Sequence, residues 1–344
     1  MTTKTLLVRA LAVTIAIIIL AGAIFTAGVV TKARVKSFGA HAQSAEMLTS
    51  ARGMCTVEAG TGRILYEHNA DAQLPMASTT KVVTAIAVLE NCEDIDSPIT
   101  IDPRAVGIEG TSIYLKKGET LTVRELLLGL MLRSGNDCAV ALALHISPSV
   151  EDFNAKMQEV ATRAGATQSS FKNPHGLDQE GHYTTARDLA LISAYAMRNS
   201  TFAEIVGTKT ARINGAEYPR MMRNKNRLLH SMDTCVGIKT GFTKKAGRCY
   251  VGAATKNGMT VVCAVLNCGP MFPESAAIME RADREFTMTR VLAKDDLMEC
   301  GIIRADYYYP LRAGEVPEIT CQDGNVCVRI NGEIVHCAPI NVIY

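Results

Sequence analysis

The sequence predicts an α+β fold: an antiparallel sheet flanked by helices, a helical subdomain between its strands, and a short β-rich C-terminal tail. Three observations carry this expectation. "GMCTVEAGTGRILYEH" reads as two short strands about Gly60-Thr61-Gly62. "VGIKTGFTKKAGRCYVGAATKNGMTVVCAVLNC" reads as strand, turn, strand, hairpin, strand, with "KNG" as a tight reversal. The segments between them have helical periodicity, so one sheet unites both ends of the domain. With 344 residues, 48% of them hydrophobic, the chain can build one large core and a smaller appendage.

Taken in order, Ala10 to Thr31 is an uncharged apolar run preceded by Lys4 and Arg9 and followed by "KARVK". It is long enough to span a bilayer, and "AHA" at Ala40 to Ala42 supplies a small-x-small cleavage pattern. Residues 1–42 are therefore expected to be a signal peptide or an N-terminal membrane anchor. "PMASTTKVVTAIAVLE" opens a helix that is apolar from Val82 to Leu89. "LTVRELLLGLMLRSGNDCAVALALH" gives two apolar helical stretches interrupted at Ser134-Gly135-Asn136. "NPHGLD" is turn chemistry, and "TTARDLALISAYAM" begins a helix with Thr185 three residues before Asp188. Residues 273–300 are expected to be helical, and from about residue 306 strand and turn signals return. The main domain is expected over 43–300 and the β-rich segment over 301–344.

Beyond residue 42, 31 basic groups face 34 acidic ones, a balance that gives no electrostatic footprint for nucleic acid. Of the eleven cysteines no two form a CxxC pair, so the sequence offers no zinc site, and neither a metal nor another cofactor is expected. Most lie in apolar runs, where a thiol packs as a small hydrophobe. The better disulfide candidates are Cys263 with Cys268, and the group Cys321, Cys327 and Cys337.

Ser78-x-x-Lys81 places a hydroxyl and an amine on one face of the first turn of an apolar helix. The pattern alone decides nothing, because Ser169-x-x-Lys172 matches it too, but Ser169 opens no such helix. A lysine serves as base for a serine only if neutral near pH 7, so its pKa of about 10.4 must fall by roughly three, equivalent to about 4 kcal/mol. A helix N-terminus provides about 0.3–1 kcal/mol, leaving desolvation and a second cation to provide the rest. Lys239 in Lys239-Thr240-Gly241 can be that cation, and Ser134-x-Asn136 supplies further polar groups.

In this order and context the three motifs resemble those of the penicillin-interacting serine D-alanyl-D-alanine carboxypeptidases, the low-molecular-mass penicillin-binding proteins. The likeness runs from about Met54 to Cys268 and includes "NPHGLD", "TTARDLA", "NKNRLL" and "GIKTGFTKKAGRC". It implies a β-lactamase/transpeptidase-like fold and removal of the terminal D-Ala from peptidoglycan stem pentapeptides, inhibited by β-lactams. Ser78 would be the nucleophile and Lys81 its base. Ser134 would relay a proton to the leaving amine, and Asn136 would hold the peptide amide and orient Lys81. Lys239 and Thr240 would bind the terminal carboxylate. The oxyanion hole would be the backbone N–H groups of Ser78 and Phe242, the residue after Gly241.

Related activities share these motifs. A class A β-lactamase needs a glutamate after the second motif, and Val160 through Leu177 contains no acid. A D,D-endopeptidase or transpeptidase differs in the leaving group or acceptor, and a β-lactam sensor in retaining its acyl group. Two features depart from the family pattern. The all-β second domain is expected to be abbreviated or absent, and Asn267 to Glu280 lacks the arginine that often assists carboxylate binding, which leaves open whether Arg248 or Arg281 helps Lys239.

Overall fold

Gly53–Glu58 (β2) and Ile64–His68 (β3) pair antiparallel across the expected turn, where the Glu58 carboxylate accepts the N–H groups of Gly60 and Thr61. This hairpin belongs to a computed structural model that describes residues 45–46, 49–214 and 219–340; the leader expectation lies outside the described residues. Ala45–Glu46 (β1) adds parallel to β3. Between the hairpin and the later strands come helices α1 (Lys81–Asn91), α2 (Val123–Leu128), α3 (Asn136–Ile146), α4 (Val150–Arg163), α5 (Ala186–Met197) and α6 (Ser200–Gly207). Two small strand pairs accompany them, β4 (Pro98–Thr100) with β5 (Thr120–Thr122) and β6 (Thr210–Ile213) with β7 (Arg220–Arg223). After the short helix α7 (Leu228–Ser231), β8 (Cys235–Thr243), β9 (Gly247–Lys256) and β10 (Met259–Leu266) complete a six-stranded sheet in the order β1-β3-β2-β10-β9-β8.

The expected reversal at "KNG" is a two-residue turn with Asn257 at φ 50 and Gly258 at φ 77, left-handed values that match the twist of the flanking strands. Side chains alternate across β10. Val262, Ala264 and Leu266 join the helical core, whereas Val261, Cys263 and Val265 pack against α8 (Met271–Glu285). Both faces are covered, which explains why the strand reads as a continuous apolar run. Thr185 caps α5 by accepting the Asp188 N–H at 3.0 Å.

The helix expected over 273–300 ends at Glu285, and Phe286–Leu292 is a strand, β11. Its "FTMTRVL" is rich in β-branched residues; Phe286 is buried against Tyr66, and the strand pairs with β14 (Tyr307–Arg312). A small hairpin, β12 (Leu297–Met298) with β13 (Gly301–Ile302), precedes β14. Glu318–Gln322 (β15), Asn325–Ile330 (β16) and Glu333–Pro339 (β17) form a separate three-stranded sheet over a small core that includes Ile303, Tyr309, Val328 and Ile330.

That core is stapled by Cys300–Cys321 and Cys327–Cys337, as suits a unit with little apolar area to bury. Cys321, Cys327 and Cys337 are thus all paired, with Cys300 the partner that the tail's spacing did not indicate. Cys263 and Cys268 are free, contrary to expectation. Cys263 lies within β10 with its side chain packed in the core, whereas Cys268 lies beyond the end of that strand, after the left-handed Asn267 at φ 49. Six of the seven free cysteines are buried.

The tail is held to the sheet by Arg63, whose side chain is 2% exposed. Its guanidinium bonds the Glu315 carboxylate at 2.5 and 2.8 Å, donates to Pro310 O, and lies over the Phe286 and Tyr309 rings. Glu315→Ala leaves a buried, unpaired cation, so urea denaturation is expected to show a loss of about 3–5 kcal/mol. A loss under about 1 kcal/mol would mean the clamp behaves as a surface pair.

Candidate active site

Ser78 lies in a 3-10 turn, Ala77–Thr80, that leads directly into α1. The turn is tight because Thr79 Oγ1 donates to Met76 O at 2.7 Å and Thr80 Oγ1 to Ala77 O at 2.8 Å, local bonds that compete with α-helical geometry. Ala77 is left-handed at φ 49, a conformation unfavourable for a residue with a Cβ and found where function fixes the backbone. Ser78 is half-buried and Lys81 fully buried at the head of the apolar helix.

Lys81 Nζ lies 3.0 Å from Ser78 Oγ and 2.7 Å from Asn136 Oδ1, and also contacts His175 O. Asn136 Nδ2 donates to Glu109 O at 2.6 Å, which orients its carbonyl toward Lys81. Two of the three lysine partners are therefore carbonyl oxygens, which only accept. A neutral amine has two N–H bonds for those carbonyls, and its lone pair is left facing the Ser78 hydroxyl. Burial holds the Lys81 pKa well below the ordinary lysine value, with the Lys239 and Lys225 ammonium groups adding to the shift.

Ser134 and Asn136 sit where the helical subdomain changes direction. Gly129–Arg133 is a π-helical turn, and Ser134 ends it at φ 69 before Gly135 and Asn136 begin α3. The Asn136 N–H donates to Thr111 O at 2.7 Å. Asp137 accepts Ser112 Oγ and the N–H groups of Ile113 and Leu115, fixing the 112–115 loop beside the motif. Among the described residues Ser134 Oγ bonds to neither Ser78 nor Lys81.

Lys239 is buried on β8, with Nζ 2.9 Å from Thr240 O, and its pKa is pushed down to about 7, by burial first and then by Lys225. A Cβ on Gly241 would lie 3.0 Å from Ser78 N and 3.1 Å from Met76 O, so the glycine lets β8 pass close to the nucleophile turn. Phe242 follows, 65% exposed. The "NPHGLD" turn closes the other side. Gly176, at φ 88, abuts Ala77 O, where a Cβ would come within 2.0 Å, and Thr84 Oγ1 donates to Pro174 O at 2.7 Å.

Ser78, Lys81 and Asn136 are thus joined by direct bonds, Lys239 by electrostatic coupling and Gly241 by close approach. Arg281 is engaged elsewhere, with Glu285 and the Tyr66 ring, and Arg248 donates to Gly269 O. The cation that adds to the lowering of the Lys239 pKa is Lys225, in "NKNRLL", whose N–H donates to Leu132 O. Sequence reasoning missed Lys225 and the His175 carbonyl; neither residue type signals its role without the fold. Ser169 is a buried structural serine, bonded to Thr184 and Asp188, and Lys172 is exposed. A cavity of about 580 Å³ lies away from these residues, lined by α6 and the start of β8.

Comparison with known proteins places the chain in a family. The D-alanyl-D-alanine carboxypeptidase family profile matches residues 40–269. The chain is 30% identical over 250 residues to the D-alanyl-D-alanine carboxypeptidase DacF of Bacillus subtilis (strain 168), covering 71% of this chain and 64% of that protein, just under two thirds of its length. It is 38% identical over 224 residues to the D-alanyl-D-alanine carboxypeptidase of Streptomyces sp. (strain K15), covering 60% and 77%. The crystal structure of the Streptomyces K15 DD-transpeptidase superposes with a TM-score of 0.63 at 34% identity, over 69% of this chain and 98% of that one. DacD from Francisella tularensis, at 21% identity, shares the fold over 87% of this chain and 95% of its own with a TM-score of 0.73. The chain therefore belongs to the D-alanyl-D-alanine carboxypeptidase family, peptidase S11.

Proposed function

We propose that the chain is a serine D-Ala-D-Ala carboxypeptidase that trims the terminal D-Ala from peptidoglycan stem pentapeptides. The carrying observation is a buried amine 3.0 Å from a half-buried serine hydroxyl, with its other two contacts to carbonyl oxygens. Ser78 Oγ attacks the carbonyl of the penultimate D-Ala while its proton passes to Lys81 Nζ. The N–H groups of Ser78 and Phe242 hold the developing oxyanion. Collapse breaks the peptide bond, the amine of terminal D-Ala takes a proton through Ser134, and D-Ala departs. Water then cleaves the ester and restores Ser78. Asn136 aligns the substrate amide, and Lys239 with Thr240 holds the terminal carboxylate beside Gly241. A β-lactam acylates Ser78 by the same step and leaves slowly.

Rapid β-lactam hydrolysis is disfavoured because the turn that closes on Lys81 contributes the His175 carbonyl and no carboxylate. Export, to the outer face of the cytoplasmic membrane or the cell wall, is supported by the two disulfides, which belong to oxidising compartments, and by the apolar stretch at 10–31. An uncleaved leader would anchor the chain to the membrane. Residues 43–300 form the catalytic unit in this reading, and 301–344 a small β-rich unit.

Mass spectrometry of a stem pentapeptide incubated with the purified chain tests the proposal. The expected product has lost one D-Ala. A cross-linked product would assign transpeptidation, cleavage of a cross-linked dimer alone would assign endopeptidase activity, and no turnover with a persistent penicilloyl adduct would assign a sensor.

A further inference from the structure

The Ser78 turn is held from behind by a histidine to which the reaction assigns no task. His182 is 6% exposed, and its two ring nitrogens have different partners. Nδ1 lies 3.0 Å from the Lys172 backbone N, and Nε2 lies 2.9 Å from Thr80 Oγ1. Thr80 Oγ1 in turn lies 2.8 Å from Ala77 O, the carbonyl of the left-handed residue immediately before the nucleophile.

The donors and acceptors along this line have one consistent arrangement. A backbone N–H only donates, so Nδ1 accepts and carries no proton. A carbonyl only accepts, so the Thr80 hydroxyl proton points at Ala77 O, and Thr80 Oγ1 accepts from Nε2–H. His182 is thereby fixed as the neutral Nε2–H tautomer; protonation would set two donors against each other at Nδ1. Burial, with Lys172 and then Lys81 nearby, lowers its pKa to about 4 and keeps that tautomer at working pH. The Ala77 carbonyl is also bounded by Gly176, where a Cβ would come within 2.0 Å. A rotated Ala77 peptide would lose the Thr80 bond and redirect the Ser78 N–H and Cβ that follow it.

We propose that His182, acting through Thr80, is a positioning residue that holds the Ala77 peptide in its left-handed setting and so aims Ser78 for acylation. The inference rests on Ser78 as the acylated residue; His182 itself touches neither substrate nor Lys81 among its described bonds.

The test measures the second-order rate of acylation by a fluorescent penicillin in wild type, His182→Ala, Thr80→Val and the double variant, with thermal midpoints as a control on folding. Each single variant is expected to acylate about ten- to a hundredfold more slowly, the range set by a small misplacement of reacting atoms. The double variant is expected to be no slower than the worse single one, because both break one line of bonds. His182→Gln presents an amide near the Nε2 position and is expected to recover most of the rate, whereas His182→Asn reaches only the Nδ1 position and is not. Equal rescue by both, additive losses, or a His182→Ala rate within about twofold of wild type would overturn the proposal. The ¹⁵N shifts of the His182 ring read the same arrangement without turnover. They are expected to report Nε2–H, and an Nδ1–H ring would overturn it even if Ser78 were not acylated; failure of wild type to label would count against the Ser78 assignment instead.

Discussion

Ser78→Ala is expected to abolish covalent labelling by a fluorescent penicillin while leaving the fold unchanged. The substitution removes one half-buried oxygen whose described partner is Lys81 Nζ, and the backbone of the 3-10 turn does not depend on it. The turn is held by the hydroxyls of Thr79 and Thr80, by the Gly176 contact and by the passage of β8 at Gly241. The N–H groups at 78 and 242 remain, so noncovalent binding of a β-lactam or a pentapeptide should persist near its wild-type level. The acyl-enzyme disappears because no other hydroxyl sits beside a neutral amine among the described residues. Ser169, the other serine with a lysine three residues on, is committed to Asp188 at 2.7 Å and to Thr184. A penicilloyl adduct on the Ser78→Ala chain, located by peptide mapping, would sink the assignment.

How much of this was legible in the sequence depended on whether the signal was local. The hairpin at Gly60 to Gly62, the Thr185 cap and the "KNG" reversal are governed by residues within a few positions of one another, and each formed where its turn chemistry indicated. The end of α8 was misjudged because Phe286 onward is decided by pairing with Tyr307–Arg312 and burial against Tyr66, partners far away in sequence. The cysteines divide in the same way. Cys327 and Cys337 face each other across β16 and β17, whereas Cys263 and Cys268 are near in sequence and remain free.

At the candidate site, the motifs were legible in the sequence and their mutual geometry was not. Ser78 and Lys81 share a helix face, so their contact follows from spacing. The approach of Asn136 and Lys239 depends on a π-helical turn, a left-handed serine and the edge position of β8. The His175 carbonyl acts through its backbone, so its side chain carried no hint.

Lys81→Met is expected to lower kcat/KM for a pentapeptide by about 10²–10⁴-fold, the span attributable to a positioned general base. The wild-type pH profile carries the same argument with a definite sign. In the proposed mechanism Lys81 acts as a base only when neutral, so activity is expected to fall as pH drops through its depressed pKa. In the same mechanism Lys239 binds the carboxylate as an ammonium, so kcat/KM is also expected to fall as pH rises through about 7 in the free enzyme. Substrate carboxylate favours the charged form, so the alkaline limb of kcat should lie at higher pH than that of kcat/KM.

Stability supplies an independent check with its own sign. The folded pKa of Lys81 lies below its unfolded value of about 10.4, so burying the amine costs nothing above that pH, and the cost grows as pH falls toward the folded value. Replacing Lys81 by Met also strands the Asn136 and His175 carbonyls, a pH-independent loss. The stability of Lys81→Met relative to wild type should therefore rise as pH is lowered, whatever its absolute offset. A pH-independent difference from about pH 6 to about pH 9, together with a flat kcat/KM, would mean that Lys81 stays charged and that the serine finds its base elsewhere.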